Sequence, residues 1–244
     1  MNGVILANGL GTRMRPLTND IPKSLVPVAG KPLIERIIDH MRDNQVRQIV
    51  VTCGVKGQQI QDYLGDGERL GVWLHYAASP DDPLQLPNTA GEIAKAAPYL
   101  TPDEPFLVVY GDTLSGTNYL QMREFHERRK ATITMAGLWG IPVGTSHLST
   151  DDLGKIVSWE EKPTLPLLAN IPEFICEPRL LEDELVGYGR DFSSEVIPKY
   201  VALGQAYCHV QPGNYHCDIG TLERLEQTEA LLAAGRIPPG TVLK

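Results

Sequence analysis

The residues best suited to chemistry lie in the stretch Leu6-Ala7-Asn8-Gly9-Leu10-Gly11-Thr12-Arg13-Met14-Arg15-Pro16-Leu17-Thr18, and the chemistry they suit is holding an anion. Gly9 and Gly11 permit positive φ and leave the backbone bare, so successive N–H groups can converge on one charged group. Thr12 adds a hydroxyl donor. Arg13 and Arg15 add forked guanidinium donors that match pairs of phosphate oxygens, and Pro22-Lys23 brings a point charge shortly downstream. A glycine turn beside solvated arginines is the plain alternative, because Gly-x-Gly alone does not identify a phosphate loop. Two better-known loops are excluded. The stretch lacks the Gly-Lys-Ser/Thr of a Walker A loop. Met14 stands where a dinucleotide fingerprint wants its third small residue, and Thr52-Cys53 stands where an acid should end the second strand.

Two aspartates occupy positions where ligands gather. Asp112 follows the apolar Phe106-Leu107-Val108-Val109, so it sits where a buried strand emerges from an α/β sheet. Asp218 precedes Ile219-Gly220-Thr221 and a final helical pattern. A turn aspartate and a helix-capping loop are their structural alternatives. Glu161-Lys162 precedes Pro163; in a regular strand the two side chains face opposite ways, so both reach one substrate only if the strand ends or bends before the proline. Cys208-His209 and His216-Cys217 flank Pro212-Gly213. If that were a hairpin turn, strand alternation would split the four side chains between two faces, so ordinary packing is expected rather than zinc.

These residues need a scaffold, and the apolar pattern supplies one. Val4 to Ala7 reads as a buried strand running into the loop, and Ile49-Val50-Val51 as a second. Leu33, Ile34, Ile37, Ile38 and Met41 recur at helical spacing, with Pro32 suited to the first turn. Helix-like and strand-like stretches then alternate through 58–64, 72–77, 89–97 and 106–110, which predicts a mostly parallel sheet with helices on both faces. From about Ala131 the texture changes to strands and loops (131–138, 156–159, 174–176), a β-rich lobe closing over the strand ends. Leu222, Leu225 and Leu232 predict a last helix that packs back on the first lobe.

At 244 residues, with 42% hydrophobic and 21% charged residues, one large α/β domain is the expectation. The net charge of −8 counts against a nucleic-acid binder, which usually carries a basic stripe. It does not count against a triphosphate: distant charges are screened beyond roughly 8 Å. One arginine at about 4 Å gains roughly 4 kcal/mol at an effective dielectric of about 20. The first apolar run is too short for a signal peptide or a membrane span, and the four cysteines are few and scattered, which suits reduced thiols. A cytoplasmic enzyme without a membrane partner is expected, and a homo-oligomer is left open.

The run Leu-Ala-x-Gly-x-Gly-Thr-Arg-x-Arg-Pro-Leu-Thr, with Pro22-Lys23 and Gly30-Lys31-Pro32-Leu33 after it, resembles the sugar-1-phosphate nucleotidyltransferase family. The similarity extends over nearly the whole chain through Tyr110-Gly111-Asp112, Glu160-Glu161-Lys162-Pro163, Asp191-Phe192 with Val196-Ile197-Pro198, and Cys217-Asp218-Ile219-Gly220-Thr221. The small size and Asp191-Phe192-Ser193-Ser194-Glu195 most resemble the stand-alone mannose- and heptose-1-phosphate guanylyltransferases. No hexapeptide repeat of an acyltransferase β-helix follows.

The resemblance implies an α/β fold: a Rossmann-like, mixed but mostly parallel sheet flanked by helices, with a β-rich sugar-binding lobe. As a single domain over 1–244 it would divide into a nucleotide lobe (1–130), a sugar-phosphate lobe (131–220) and a C-terminal helix and tail (221–244). The implied substrates are a nucleoside triphosphate and a sugar 1-phosphate, and the implied cofactor is Mg²⁺, held by Asp112 and Asp218. Arg13 would steady the β- and γ-phosphates, Lys23 would neutralise the α-phosphate, Lys162 would receive the sugar phosphate, and Glu161 would bind sugar hydroxyls. Gly144 and Asn170 align with sugar-contacting positions. Leu6, Ala7, Asn8, Gly9, Gly11 and Thr12 would line the nucleotide site, with Asn88, Thr89 and Gly91 opposite. This sequence departs from the family at Asn8, at Asn88 and at Pro172-Glu173, so base and sugar stay open, with GTP favoured. The rivals are a cytidylyltransferase for a polyol or choline phosphate and a non-catalytic sensing subunit.

Overall fold

The expected alternation of strand and helix is realised in the computed structural model, which describes residues 1–79, 87–183, 190–235 and 242–243. Much of the expected C-terminal tail, past residue 235, lies outside the described residues. The first half runs β1 (Asn2–Ala7), the short pair β2 (Pro27–Val28) and β3 (Lys31–Pro32), then α1 (Leu33–Asp43), β4 (Gln48–Cys53) and α2 (Gly57–Leu64). It continues with β5 (Trp73–Ala78), α3 (Thr89–Ala94), β6 (Phe106–Tyr110), β7 (Thr113–Ser115) and α4 (Tyr119–Arg129). The second half runs β8 (Ile133–Pro142), β9 (His147–Thr150), β10 (Ile156–Glu160), β11 (Thr164–Cys176) and α5 (Arg179–Asp183). After a π turn over Phe192–Val196 come α6 (Ile197–Ala202), β12 (Ala206–Val210), β13 (His216–Asp218), α7 (Leu222–Ala233) and β14 (Val242–Leu243).

Seven strands form the central sheet in the order β12-β8-β11-β6-β1-β4-β5. β1 pairs in parallel with both β4 and β6, β4 with β5, and β12 with β8; β11 alone runs against its neighbours β6 and β8. Side-chain alternation then sorts the apolar residues onto two faces. Ile5, Ile49, Val51, Leu107 and Val109 point into a core closed by Leu33, Ile34 and Ile38 of α1 and by Leu225 of α7. Val4, Leu6, Val50, Phe106, Val108 and Phe174 point into a second core with Ala90 and Ile93 of α3, Phe192 and Tyr200. The final helix therefore packs on the first half of the chain, as its leucine spacing predicts.

Three of the seven central strands come from beyond residue 131. The β-rich texture of the second half arises from β8 and β11, which run on past the sheet, and from the exposed ribbon β9–β10. β11 is far longer than the 174–176 stretch its apolar pattern marks; it bends at two bulges, and Pro172 lies at the second, where a missing N–H is tolerated. The Pro212-Gly213 segment does not close a hairpin. β12 is a sheet edge against β8, whereas β13 pairs with β7 and β14. Among the described residues, no helix is long and apolar enough to cross a membrane.

Candidate functional site

β1 ends between β4 on one side and β6 on the other, so the chain reverses its direction of travel across the sheet there. Such a switch point opens a crevice at the C-terminal ends of parallel strands. The loop leaving β1 is tightly fixed. Gly11 has φ +65°, and its carbonyl accepts from Thr18 Oγ1 (2.8 Å) and from the Met14 N–H (2.9 Å). A Cβ at Gly11 would lie 3.0 Å from Thr18 and 3.1 Å from Lys23, so backbone freedom and close approach both favour glycine. Met14, the residue that excludes a dinucleotide loop, is fully buried and anchors the 3₁₀ turn Thr12–Met14 in the core. Lys56 Nζ donates to the Thr18 and Asn19 carbonyls and ties down the far end of the loop.

A cavity of about 390 Å³ opens between this loop, the end of β6 and the start of α3. That volume falls in the range of about 300–1,000 Å³ usual for small-molecule sites. Of the residues singled out in the sequence, Leu6, Ala7, Gly9, Gly11, Thr12, Arg13, Lys23, Thr89 and Asp112 line it. Asn8 and Gly91 are buried at its margin and Asn88 caps α3 beside it.

At the cavity mouth charged groups converge. Lys23 Nζ is 2.7 Å from Asp112 Oδ2. The Ile219 N–H donates to the Asp112 carbonyl (2.9 Å) and β13 pairs with β7, which brings Asp218 beside Asp112. Burial raises the Asp218 carboxyl above its ordinary value and the Asp112 charge raises it further, against Lys23, Arg224 and Arg13, which lower it. Asp218 Oδ2 accepts from Arg224 Nη1 at 2.6 Å, while Oδ1 is buried with no hydrogen-bond partner. Gly220 keeps this corner open: a Cβ there would lie 2.9 Å from Asp218 Oδ1 and 3.2 Å from Arg13 Nη2. Two neighbouring carboxylates, one with an unsatisfied oxygen, fit a hard divalent cation that takes one or two carboxylates and fills its other positions with water and phosphate oxygens.

Glu92 extends from α3 beneath the loop. It is only 6% exposed, yet it lines the cavity. Its Oε1 accepts from the Asn8 N–H (3.2 Å) and from Thr52 Oγ1. Burial lifts this carboxyl from 4.5 to about 7; the bonds from Thr52 and Asn8 and the Lys95 charge oppose the rise, and Asp112 adds to it.

Gly144, Glu161, Lys162 and Asn170 lie apart from this cavity. β10 ends at Glu160 and Lys162 has φ +43°, so the chain does bend before Pro163. Glu161 and Lys162 are both exposed on that turn, where Ser146 donates to Glu161 Oε2 and the Val143 N–H donates to the Pro163 carbonyl. Gly144 belongs to the same cluster and has nothing within 4 Å of its Cβ position. Asn170 lines a separate depression with Ser193, whose hydroxyl lies 3.3 Å from Tyr110 Oη at the edge of the first cavity. Glu173, beside Pro172, points away from both into the α1 face, fully buried, where Ser115 Oγ (2.6 Å) and Tyr119 Oη (2.8 Å) donate to its Oε1.

Sequence reading missed Glu92 and Arg224. The signals were present: an acid directly after Thr89-Ala90-Gly91 in the first helical turn, and an arginine three residues after the capping Thr221. Neither acquires meaning until α3 is laid under β1 and α7 beside Asp218.

Residues 2–234 match a family model described as nucleotidyl transferase. The chain is 29% identical over 241 residues to a UTP–glucose-1-phosphate uridylyltransferase of Synechocystis sp., covering 90% of this chain and 60% of that protein. It is 29% identical over 245 residues to a mannose-1-phosphate guanylyltransferase of Mycobacterium tuberculosis, covering 98% of this chain and 66% of that one. The chain thus spans a little under two thirds of the length of these curated relatives. The crystal structure of HddC from Yersinia pseudotuberculosis superposes with a TM-score of 0.73 at 25% identity, over 94% of this chain and 98% of that one.

Proposed function

Because this chain belongs to the nucleotidyl transferase family, we propose that it transfers a nucleotidyl group from a nucleoside triphosphate to a sugar 1-phosphate. A phosphate oxygen of the sugar 1-phosphate bonds to the α-phosphorus, the bond from that phosphorus to the bridging oxygen of the β-phosphate breaks, and pyrophosphate leaves with the bonding electrons. The observation that carries this reading is the convergence of Arg13, Lys23, Asp112 and Asp218 at the mouth of the 390 Å³ cavity.

Phosphoryl chemistry asks a protein chiefly for positioning and charge neutralisation. In this reading the half of the chain up to residue 130 holds the triphosphate, and residues 131–220 hold the sugar phosphate. Arg13, flanking Gly220, takes the β- and γ-phosphates. Lys23 exchanges its Asp112 contact for the α-phosphate, where its charge counters the charge that builds during attack. Asp112 and Asp218 would hold Mg²⁺, which when bound supplies Lewis-acid neutralisation of the phosphate oxygens. Arg224 keeps Asp218 oriented from its other side. Lys162 takes the incoming phosphate and Glu161, with Gly144 and Asn170, the sugar. The deciding experiment is pyrophosphate release with Mg²⁺ across the common ribonucleoside triphosphates and several sugar 1-phosphates. Turnover with at least one pair is expected; tight nucleotide binding with no turnover for any pair overturns the reading.

A further inference from the structure

The floor of the cavity holds an unusual surplus of hydrogen-bond acceptors. Glu92 is buried there, and its two donors among the described residues, the Asn8 N–H and the Thr52 hydroxyl, both go to the same oxygen, Oε1. Asn8 stands beside it, 7% exposed. Its Nδ2 donates to Ser79 Oγ (3.2 Å), and its Oδ1 is buried without a partner among the described residues. A buried acceptor left unmatched is costly, so a site built this way is completed by a ligand edge that donates. Among the described residues, the charged side chains that face Glu92 are Lys95 and Asp112. Lys95 donates to Ser79 Oγ (3.0 Å) and the Ala78 carbonyl, while Lys23 and Arg13 lie at the phosphate end of the cavity.

We infer that Glu92, with Asn8 beside it, is the base-selecting element of the nucleotide site, and that the base it selects is guanine. The inference rests on the nucleotide-transfer reading for the position of the base, between Ala7-Asn8-Gly9 and the start of α3. Among the common bases guanine alone presents two adjacent donors, the N1–H and the 2-amino group, on its Watson–Crick edge. Uracil and thymine offer one ring N–H between two carbonyls, which would face the acceptors of the floor. Cytosine and adenine offer one amino group next to an acceptor ring nitrogen. A site built around hydrogen bonds to one edge rejects an analogue that lacks the matching groups, because its own buried groups are then left unpaired.

Glu92→Gln tests this with little change of shape. The amide carbonyl still accepts from the Asn8 N–H and Thr52, while the second position becomes a donor in place of an acceptor. Nucleotide binding by calorimetry and turnover are compared for GTP, UTP, CTP and ATP at pH 8, where the carboxylate form of Glu92 prevails. The wild-type protein is expected to bind GTP at least tenfold more tightly than the others. In Glu92→Gln that preference should fall by roughly 10- to 100-fold, the equivalent of one buried unpaired group, with UTP gaining relative to GTP. A wild-type preference for another base, or a loss in Glu92→Gln equal for all four, overturns the inference. If the variant does not fold, as judged by its melting curve, the wild-type binding panel still decides. Guanine-selective binding without turnover would remove the transfer reading and leave this one standing; turnover with a different preferred base would do the reverse.

Discussion

Glu92 should make the stability of the folded chain fall as pH rises through the neutral range. Burial lifts its carboxyl from 4.5 to about 7, so the folded state holds a proton that the unfolded chain has already released. Below about pH 4.5 the group is neutral in both states and its contribution is fully present; as pH rises through 7 that contribution is lost. At about 1.4 kcal/mol per pH unit, the displacement corresponds to roughly 3 kcal/mol between pH 4.5 and pH 8. Glu92→Gln has no proton to lose but keeps the carbonyl that serves Asn8 and Thr52, so subtracting its stability from the wild type removes every other titration. Urea or thermal unfolding of both proteins at pH 5, 6, 7 and 8 should show the variant gaining up to roughly 3 kcal/mol on the wild type across the series. For a chain of this size that is a relative melting shift of about 6–12 °C. A gap that stays constant from pH 5 to pH 8 would refute the reasoning, because it would mean that Glu92 is charged at its site throughout.

Three further outcomes follow from the site and its supports. Asp112→Asn and Asp218→Asn should each abolish turnover and also remove any rise in melting temperature caused by Mg²⁺; full activity in either variant takes that residue out of the metal pair. Lys23→Ala should lower kcat by roughly 10²–10³, the usual loss when one charge-stabilising group is removed from a transition state; a change confined to KM would assign Lys23 to ground-state binding alone. Tyr119→Phe leaves Glu173 Oε1 with Ser115 as its one donor among the described residues, in a fully buried setting, which should cost about 1–3 kcal/mol in denaturant unfolding; an unchanged midpoint would show that water replaces the phenol.

Much of the scaffold was legible in the sequence because its signals are local. Apolar runs of strand length and the helical spacing of Leu33 to Met41 need no distant partner to be read, and β6 falls on the residues its apolar run marks. β11 was the exception. Its outer part, Thr164 to Asn170, is largely exposed and interrupted by Pro166 and a bulge, so its leucines show no regular alternation that would announce a strand. The pairing around Pro212-Gly213 stayed open for a related reason: a turn dipeptide between two strands allows a hairpin, but partner choice is settled by which other edges are available. β8 and β7 were available to β12 and β13.

The sequence by itself determined the loop that opens the site. The glycines, Thr12, Arg13 and buried Met14 lie within a few residues of one another, so backbone geometry brings them together whatever the rest of the chain does. Asp112 was determined almost as well, since a polar residue at the end of a fully apolar strand must emerge at the sheet's edge. Only the tertiary structure decided that Asp218 stands next to Asp112 with Arg224 behind it, and that Glu92 reaches under Asn8 from a helix more than eighty residues away. It also decided that Glu161 and Lys162 sit on an exposed turn apart from the cavity beside β1. These placements depend on strand order, on the pairing of β13 with β7 and on the bends of β11. Such choices are made by the packing of the whole sheet, and no short window of residues carries them.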